Sequence, residues 1–124
     1  MKEPPMVRDL NQLQPYLIDR VKRILNRLEA RGFDPVVVET RRTLARQTWL
    51  YGVGRWHSRN RKPVTQTMLS KHLVGKAVDI ASRSHGWRSK AFFDALKQEA
   101  NREGMARPFD DWDQAHIEWR GGKL

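Results

Sequence analysis

Two short segments of the chain place histidine beside carboxylate: Ser70-Lys71-His72-Leu73-Val74-Gly75-Lys76-Ala77-Val78-Asp79-Ile80, and Asp113-Gln114-Ala115-His116-Ile117-Glu118. Imidazole nitrogen and carboxylate oxygen are ligands that zinc accepts. A catalytic zinc takes three protein ligands and keeps a fourth position for water. His72, Asp79 and His116 are the candidate three. Cysteine is absent, so any metal must be held by His, Asp or Glu, and no disulfide framework is available. Asp110, Asp111, Asp113 and Glu118 gather around His116 in an otherwise basic chain, the local reversal of charge that a cation site needs.

The elements that must position these groups are legible from patterning. Gly75 and the run Ala77-Val78-Asp79-Ile80 favour a turn leading into a strand, on which Asp79 projects opposite Val78 and Ile80. The apolar pair then enters the core while the carboxylate faces a cleft. His116 and Glu118 likewise share one face of a final strand near Ala115 to Trp119, with Ile117 and Trp119 on the other and Asp113 just before it.

Upstream, apolar residues recur at helical spacing from Asp9 to Arg31, with Asp9 as candidate N-cap and Gly32 as stop. Val36-Val37-Val38 reads as a buried strand leading toward Arg42, a second helix runs from about Thr43 to Tyr51, and Trp56 to Pro63 is a polar loop. After a loop through Gly86, a helix is expected from Ser89 to Glu103, with Phe92, Phe93 and Leu96 inward and Gly104 as terminator. The expectation is a small single α+β domain over residues 1–124, a central antiparallel sheet flanked by about three helices, with the zinc site in a cleft.

The pattern Ser-x-His-x-x-Gly-x-Ala-x-Asp at Ser70 to Asp79, followed by Asp-x-x-His at Asp113 to His116, resembles the zinc D-Ala-D-Ala carboxypeptidase and L-alanyl-D-glutamate endopeptidase family, which includes VanY-type enzymes and phage endolysins. Arg42-Thr43, Gln47, Leu50-Tyr51, Gly54-Arg55 and Val64-Thr65 resemble the stretch that precedes the zinc motif in the endopeptidase branch. The resemblance covers roughly residues 36 to 119. It implies zinc bound by His72, Asp79 and His116, Asp113 as catalytic acid/base, and an arginine at the Arg42 position that stabilises charge on the substrate. Family members often carry Gly-Tyr-Arg-Ser or Thr where this chain has Thr40-Arg41-Arg42-Thr43, so Arg41 competes with Arg42 for that role.

Chemically, zinc-bound water has a pKa of about 7, and a carboxylate beside it can accept a proton and return it to the departing amine. Arg42 can offset charge on the tetrahedral oxygen or clamp a substrate carboxylate. Glu118 either orients an imidazole from behind or is a solvated strand residue, and Ser70 either bonds the substrate or a ligand or forms a turn. His57 and His85 lie in polar loops and read as surface residues. The five tryptophans, Trp49, Trp56, Trp87, Trp112 and Trp119, serve a cleft or anchor a small core.

The chain has 24 basic and 14 acidic residues, a net charge of +10, which points to an anionic partner or surface. The segment Arg55-Trp56-His57-Ser58-Arg59-Asn60-Arg61-Lys62 interleaves cations with an aromatic ring, as a nucleic-acid strip does, and envelope polymers are polyanions too. No nucleic-acid-binding motif accompanies these cations, and no stable nucleic-acid partner is expected.

The expected function is that of a monomeric zinc peptidoglycan peptidase, endolysin-like and cutting the L-alanyl-D-glutamate bond of the wall stem peptide. The alternatives are D-Ala-D-Ala carboxypeptidase activity at the same site, and a nonenzymatic basic module that binds nucleic acid or wall. No apolar run is long enough to cross a bilayer, and Met1-Lys2-Glu3-Pro4-Pro5 lacks the apolar core of a secretory signal. The expected setting is therefore synthesis in a host cytoplasm and action on the wall, after a holin-type lesion opens the membrane.

Overall fold

The computed structural model describes residues 2–65, 68, 70–108 and 113–121. Asp110, Asp111 and Trp112, close to His116 in sequence, lie outside the described residues.

Helix α1 spans Pro15–Ala30 and buries Leu17, Val21, Ile24 and Leu28, one stripe at helical spacing. The single helix expected from Asp9 is broken. Asp9 caps only a 3-10 turn at Leu10–Gln12, its carboxylate accepting the Asn11 N–H at 2.9 Å. Proline disfavours helical backbone in the residue before it, and Gln14 is extended with ψ 139°, so α1 starts afresh at Pro15, where the missing N–H costs nothing.

Strand β1 (Pro35–Glu39) is followed by α2 (Leu44–Gly52), whose N-terminus is capped by the Thr43 hydroxyl accepting from Arg46 N–H. Then come β2 (Ala77–Ser82), α3 (Lys90–Arg102, capped by Ser89), β3 (Met105–Ala106) and β4 (His116–Trp119). The sheet runs β1-β2-β4-β3, with every pairing antiparallel. Because β1 is an edge strand, Val36 to Val38 are only half-buried rather than buried as their β-branched run suggested, and the buried member is Glu39.

The core lies between one sheet face and the helices. Val78, Ile80 and Ile117 pack with Leu17, Ile24 and Leu28 of α1 and with Phe92, Phe93 and Leu96 of α3. Arg23 and Arg27 pair with Glu103 and Arg31 with Glu99, tying α1 to the end of α3. Strand alternation sends Asp79, His116 and Glu118 to the opposite face. No helix among the described residues is long and apolar enough to cross a membrane.

Candidate metal centre

Three elements deliver the three candidate ligands. Ser70 caps a 3-10 turn at Lys71–Val74, its hydroxyl accepting from His72 N–H, and Gly75 ends the turn at φ +70°. A side chain at Gly75 would also meet the Gln12 carbonyl at 2.9 Å, so both conformation and space require glycine there. His72, fully buried, sits on this turn. Asp79 of β2 and His116 of β4 are register partners, directly opposite each other. His72 Nε2 lies 3.1 Å from Asp79 Oδ1 and 3.1 Å from His116 Nδ1, and His116 Nδ1 is 3.4 Å from Asp79 Oδ1.

Both imidazoles have their remaining nitrogen occupied by an acceptor. Nδ1 of His72 donates to the Thr40 carbonyl at 2.7 Å, and Nε2 of His116 donates to Glu118 Oε1 at 2.9 Å. A carbonyl cannot donate, so His72 carries its proton on Nδ1 and turns a lone pair at Nε2 inward. Glu118 likewise leaves His116 Nδ1 to face the same point. Two nitrogen lone pairs and a carboxylate oxygen converging at these distances repel unless a cation or protons lie among them. The edge of a tetrahedron with bonds of about 2.0–2.1 Å is about 3.3 Å, so the observed triangle fits a zinc-sized ion. These are the three residues whose ligand atoms group as a possible metal site among the described residues.

Without an ion, the cluster is held by its own opposite charges. Burial opposes ionisation of Asp79, but His72 and His116 outweigh it and hold the carboxyl far below its ordinary range. Burial also opposes charge on His116, yet its bonds to Asp79 and Glu118 raise it to about 9. Glu118 is pulled down to about 2 against its own burial by His116 and by Lys71, whose Nζ is 3.1 Å away.

Asp113 and Arg42 line the same cleft as Asp79, a space of about 510 Å³ whose lining also includes Val64 and Trp87. Asp113 is an exposed residue at φ +51°, left-handed backbone that aspartate tolerates better than most residues; its carbonyl accepts from His116 N–H. Partial desolvation and the neighbouring Asp79 charge both raise its proton affinity.

Arg42 donates to Gln47 Oε1 and Glu39 Oε1, each at 2.8 Å, and its guanidinium is 3.8 Å from Asp79 Oδ2. Arg41 is exposed. Glu39, buried at the end of β1, also pairs with Arg46, which reaches on to Glu3. An alternating chain of charge thus runs from Asp79 through Arg42, Glu39 and Arg46 to Glu3.

Glu39, Thr40 and Arg46 had no signal in the sequence as site components, because their partners stand on other elements. Ser70 acts as a turn cap. His57 is half-buried rather than a free surface residue, with Nε2 donating to the Trp49 carbonyl and its ring tilted at 38° against the Trp49 ring, centroids 4.6 Å apart, whereas His85 is exposed. Trp49 and Trp119 are buried, Trp56 and Trp87 exposed.

A small antiparallel α+β domain with two histidines and an aspartate converging in a cleft shared with Asp113 has the arrangement of a metal-dependent hydrolase. The profile of the VanY family, described as D-alanyl-D-alanine carboxypeptidase, matches residues 10–120, and the chain belongs to this family. Members and structural relatives are peptidoglycan peptidases.

Among solved structures, the chain resembles the LdcB LD-carboxypeptidase (19% identity, TM-score 0.69, covering 94% of this chain and 64% of that one). It also resembles the zinc complex of the vancomycin-resistance D,D-pentapeptidase VanY (18%, 0.70, covering 88% and 73%). A third is the L-Ala D-Glu endopeptidase ChiX of Serratia marcescens (22%, 0.62, covering 90% and 83%). The chain thus spans somewhat under two thirds of LdcB, and these likenesses establish the shared fold. No curated protein matches it in sequence.

Proposed function

We propose that the chain is a zinc-dependent peptidoglycan peptidase of endolysin type that cleaves the L-alanyl-D-glutamate bond of the wall stem peptide. The observation that carries the reading is the convergence of His72 Nε2, Asp79 Oδ1 and His116 Nδ1, each imidazole locked by an acceptor on its other nitrogen, in a cleft shared with Asp113.

Zinc held by His72, Asp79 and His116 would supply a bound water of pKa about 7 and a Lewis acid for the scissile carbonyl. Asp113 takes the proton of the attacking water and hands it to the departing amine nitrogen as the C–N bond breaks and the C–O bond forms. Arg42 has two nitrogens tied to Glu39 and Gln47, which supports a fixed positive charge facing the developing oxyanion more than a swinging clamp. The net charge of +10 favours approach to anionic envelope polymers.

D-Ala-D-Ala carboxypeptidase activity is the second reading, favoured by the description of the matching family. In both bonds the leaving residue is a D-amino acid with an α-carboxylate beside the scissile nitrogen, so one site serves either. The two substrates diverge beyond that residue: terminal D-alanine ends the chain, whereas D-glutamate continues through its γ-carboxyl. Mass spectrometry of digested wall separates them. New amino-terminal D-glutamate supports the endopeptidase, and release of D-alanine alone rejects it.

A further inference from the structure

Five of the exposed large apolar side chains among the described residues line one of two pockets. Of the six among the described residues, Met6, Val64 and Trp87 line the metal cleft, while Leu44 and Trp56 line a second, largely apolar pocket of about 480 Å³. Helix α2 is the ridge between the two. Arg46 and Leu50 face the metal cleft, and Leu44, Ala45 and Thr48 face the second pocket. The N-terminal segment walls both, with Met6 in one and Pro4 in the other.

Exposed apolar side chains gathered in a pocket, rather than spread singly over the surface, mark a binding site. Leu44 is 65% exposed and Trp56 51%, so neither is held by the core. Thr48 and Lys2 add a hydroxyl and an ammonium to the lining, and Trp49 is its buried member.

We propose that this second pocket seats a sugar ring of the wall glycan while the stem peptide hanging from the same glycan occupies the metal cleft. The inference rests on the reading of the chain as a peptidoglycan peptidase. A pyranose presents an apolar C–H face that lies flat on an indole, and a rim of hydroxyls that meets groups such as Thr48 and Lys2. L-alanine is joined directly to the muramic acid sugar, so a bond cut after it lies one residue, about 3.6 Å of extended chain, from the glycan. The polymer must then rest on surface bordering the cleft, and α2 with its second pocket is such a border.

The test has two arms. Wild-type protein is titrated with the peptide-free disaccharide of N-acetylglucosamine and N-acetylmuramic acid while the indole N–H resonances are followed, Trp56 being assigned by its loss in Trp56→Ala. A shift of the Trp56 signal, weakened in Leu44→Ser, supports the site. Absence of any shift in the pocket overturns it, as does a shift produced by protein concentration alone, which would assign the pocket to a second copy.

In the second arm, zinc-loaded wild type and both variants cleave a disaccharide-bearing stem peptide and the same peptide without sugar. The variants are expected to lose about tenfold more kcat/KM on the sugar-bearing substrate than on the bare peptide, the effect of one lost aromatic or leucine contact. Equal losses on the two substrates overturn the proposal. Wild type that binds the disaccharide yet cleaves neither substrate would sink the peptidase reading and leave the saccharide site standing.

Discussion

Asp79 and His116 stand directly opposite each other on antiparallel strands β2 and β4, with Oδ1 and Nδ1 3.4 Å apart. The pairing makes the sheet register itself a condition of the site. A slip of one residue in either strand would turn that strand's ligand into the core and bring its apolar neighbours out. Replacing His72 or His116 by Ala is expected to reduce bound zinc from about one ion per chain to none detectable, with the far-ultraviolet circular dichroism retained. Metal analysis of the purified variants checks this, and full zinc content in either would contradict the ligand set.

Glu118 holds His116 through Nε2 and is itself held by Lys71. Glu118→Ala is expected to weaken zinc binding by about 10–100-fold through loss of this orienting partner. Competition with a calibrated chelator reads the constant directly. Unchanged affinity would return Glu118 to the role of a salt-bridged strand residue.

The metal-free protein has a defined pH window. His116 is raised above its ordinary 6.5, so its contribution is complete below pH 6.5 and is lost as pH rises through about 9. Glu118 is lowered from 4.5, so its contribution is present above pH 4.5 and lost as pH falls through about 2. Chelated protein is therefore expected to be most stable between these limits and to lose Tm from pH 6.5 to 9. Zinc should abolish that alkaline loss, because the ligand form of His116 is the neutral one. Parallel Tm curves with and without zinc over this interval would refute the assignment.

Asp113 occupies left-handed backbone, which asparagine also tolerates, so Asp113→Asn tests its chemistry without disturbing its conformation. Zinc content should persist while kcat falls by about 10²–10⁴-fold. Wall clearance at the wild-type rate would remove Asp113 as the proton carrier.

Glu39 is buried between Arg42 and Arg46. Removing one member of a buried charge network leaves the others unpaired, so Glu39→Ala is expected to cost about 3–5 kcal/mol in urea unfolding. Hydrolysis should fall as well, since Arg42 loses one of the two groups that fix it. A cost below about 1 kcal/mol would mean that Arg46 is satisfied by Glu3 alone.

Much of the site was legible because strand alternation is a local rule. The period of two places Asp79 opposite Val78 and Ile80, and His116 and Glu118 opposite Ile117, without any knowledge of the fold. Gly75 announced the turn. What escaped the sequence depends on distant partners or competing local preferences. Thr40 offers His72 a backbone carbonyl, which no residue type reveals. Glu39 matters only because α2 returns Arg46 to it. Strand β3 has two residues, too few to show a period. The break before α1 was written in Pro15, but the apolar repeat on both sides read through it.

The central claim is that one zinc ion held by His72, Asp79 and His116 drives hydrolysis of the wall peptide. Digestion of purified sacculi by zinc-loaded protein, by chelated protein, and by chelated protein with zinc restored tests it in one series. The account predicts soluble fragments bearing new amino-terminal D-glutamate in the first and third samples and none in the second. Equal release in all three, or no release from the fully loaded protein, would contradict it.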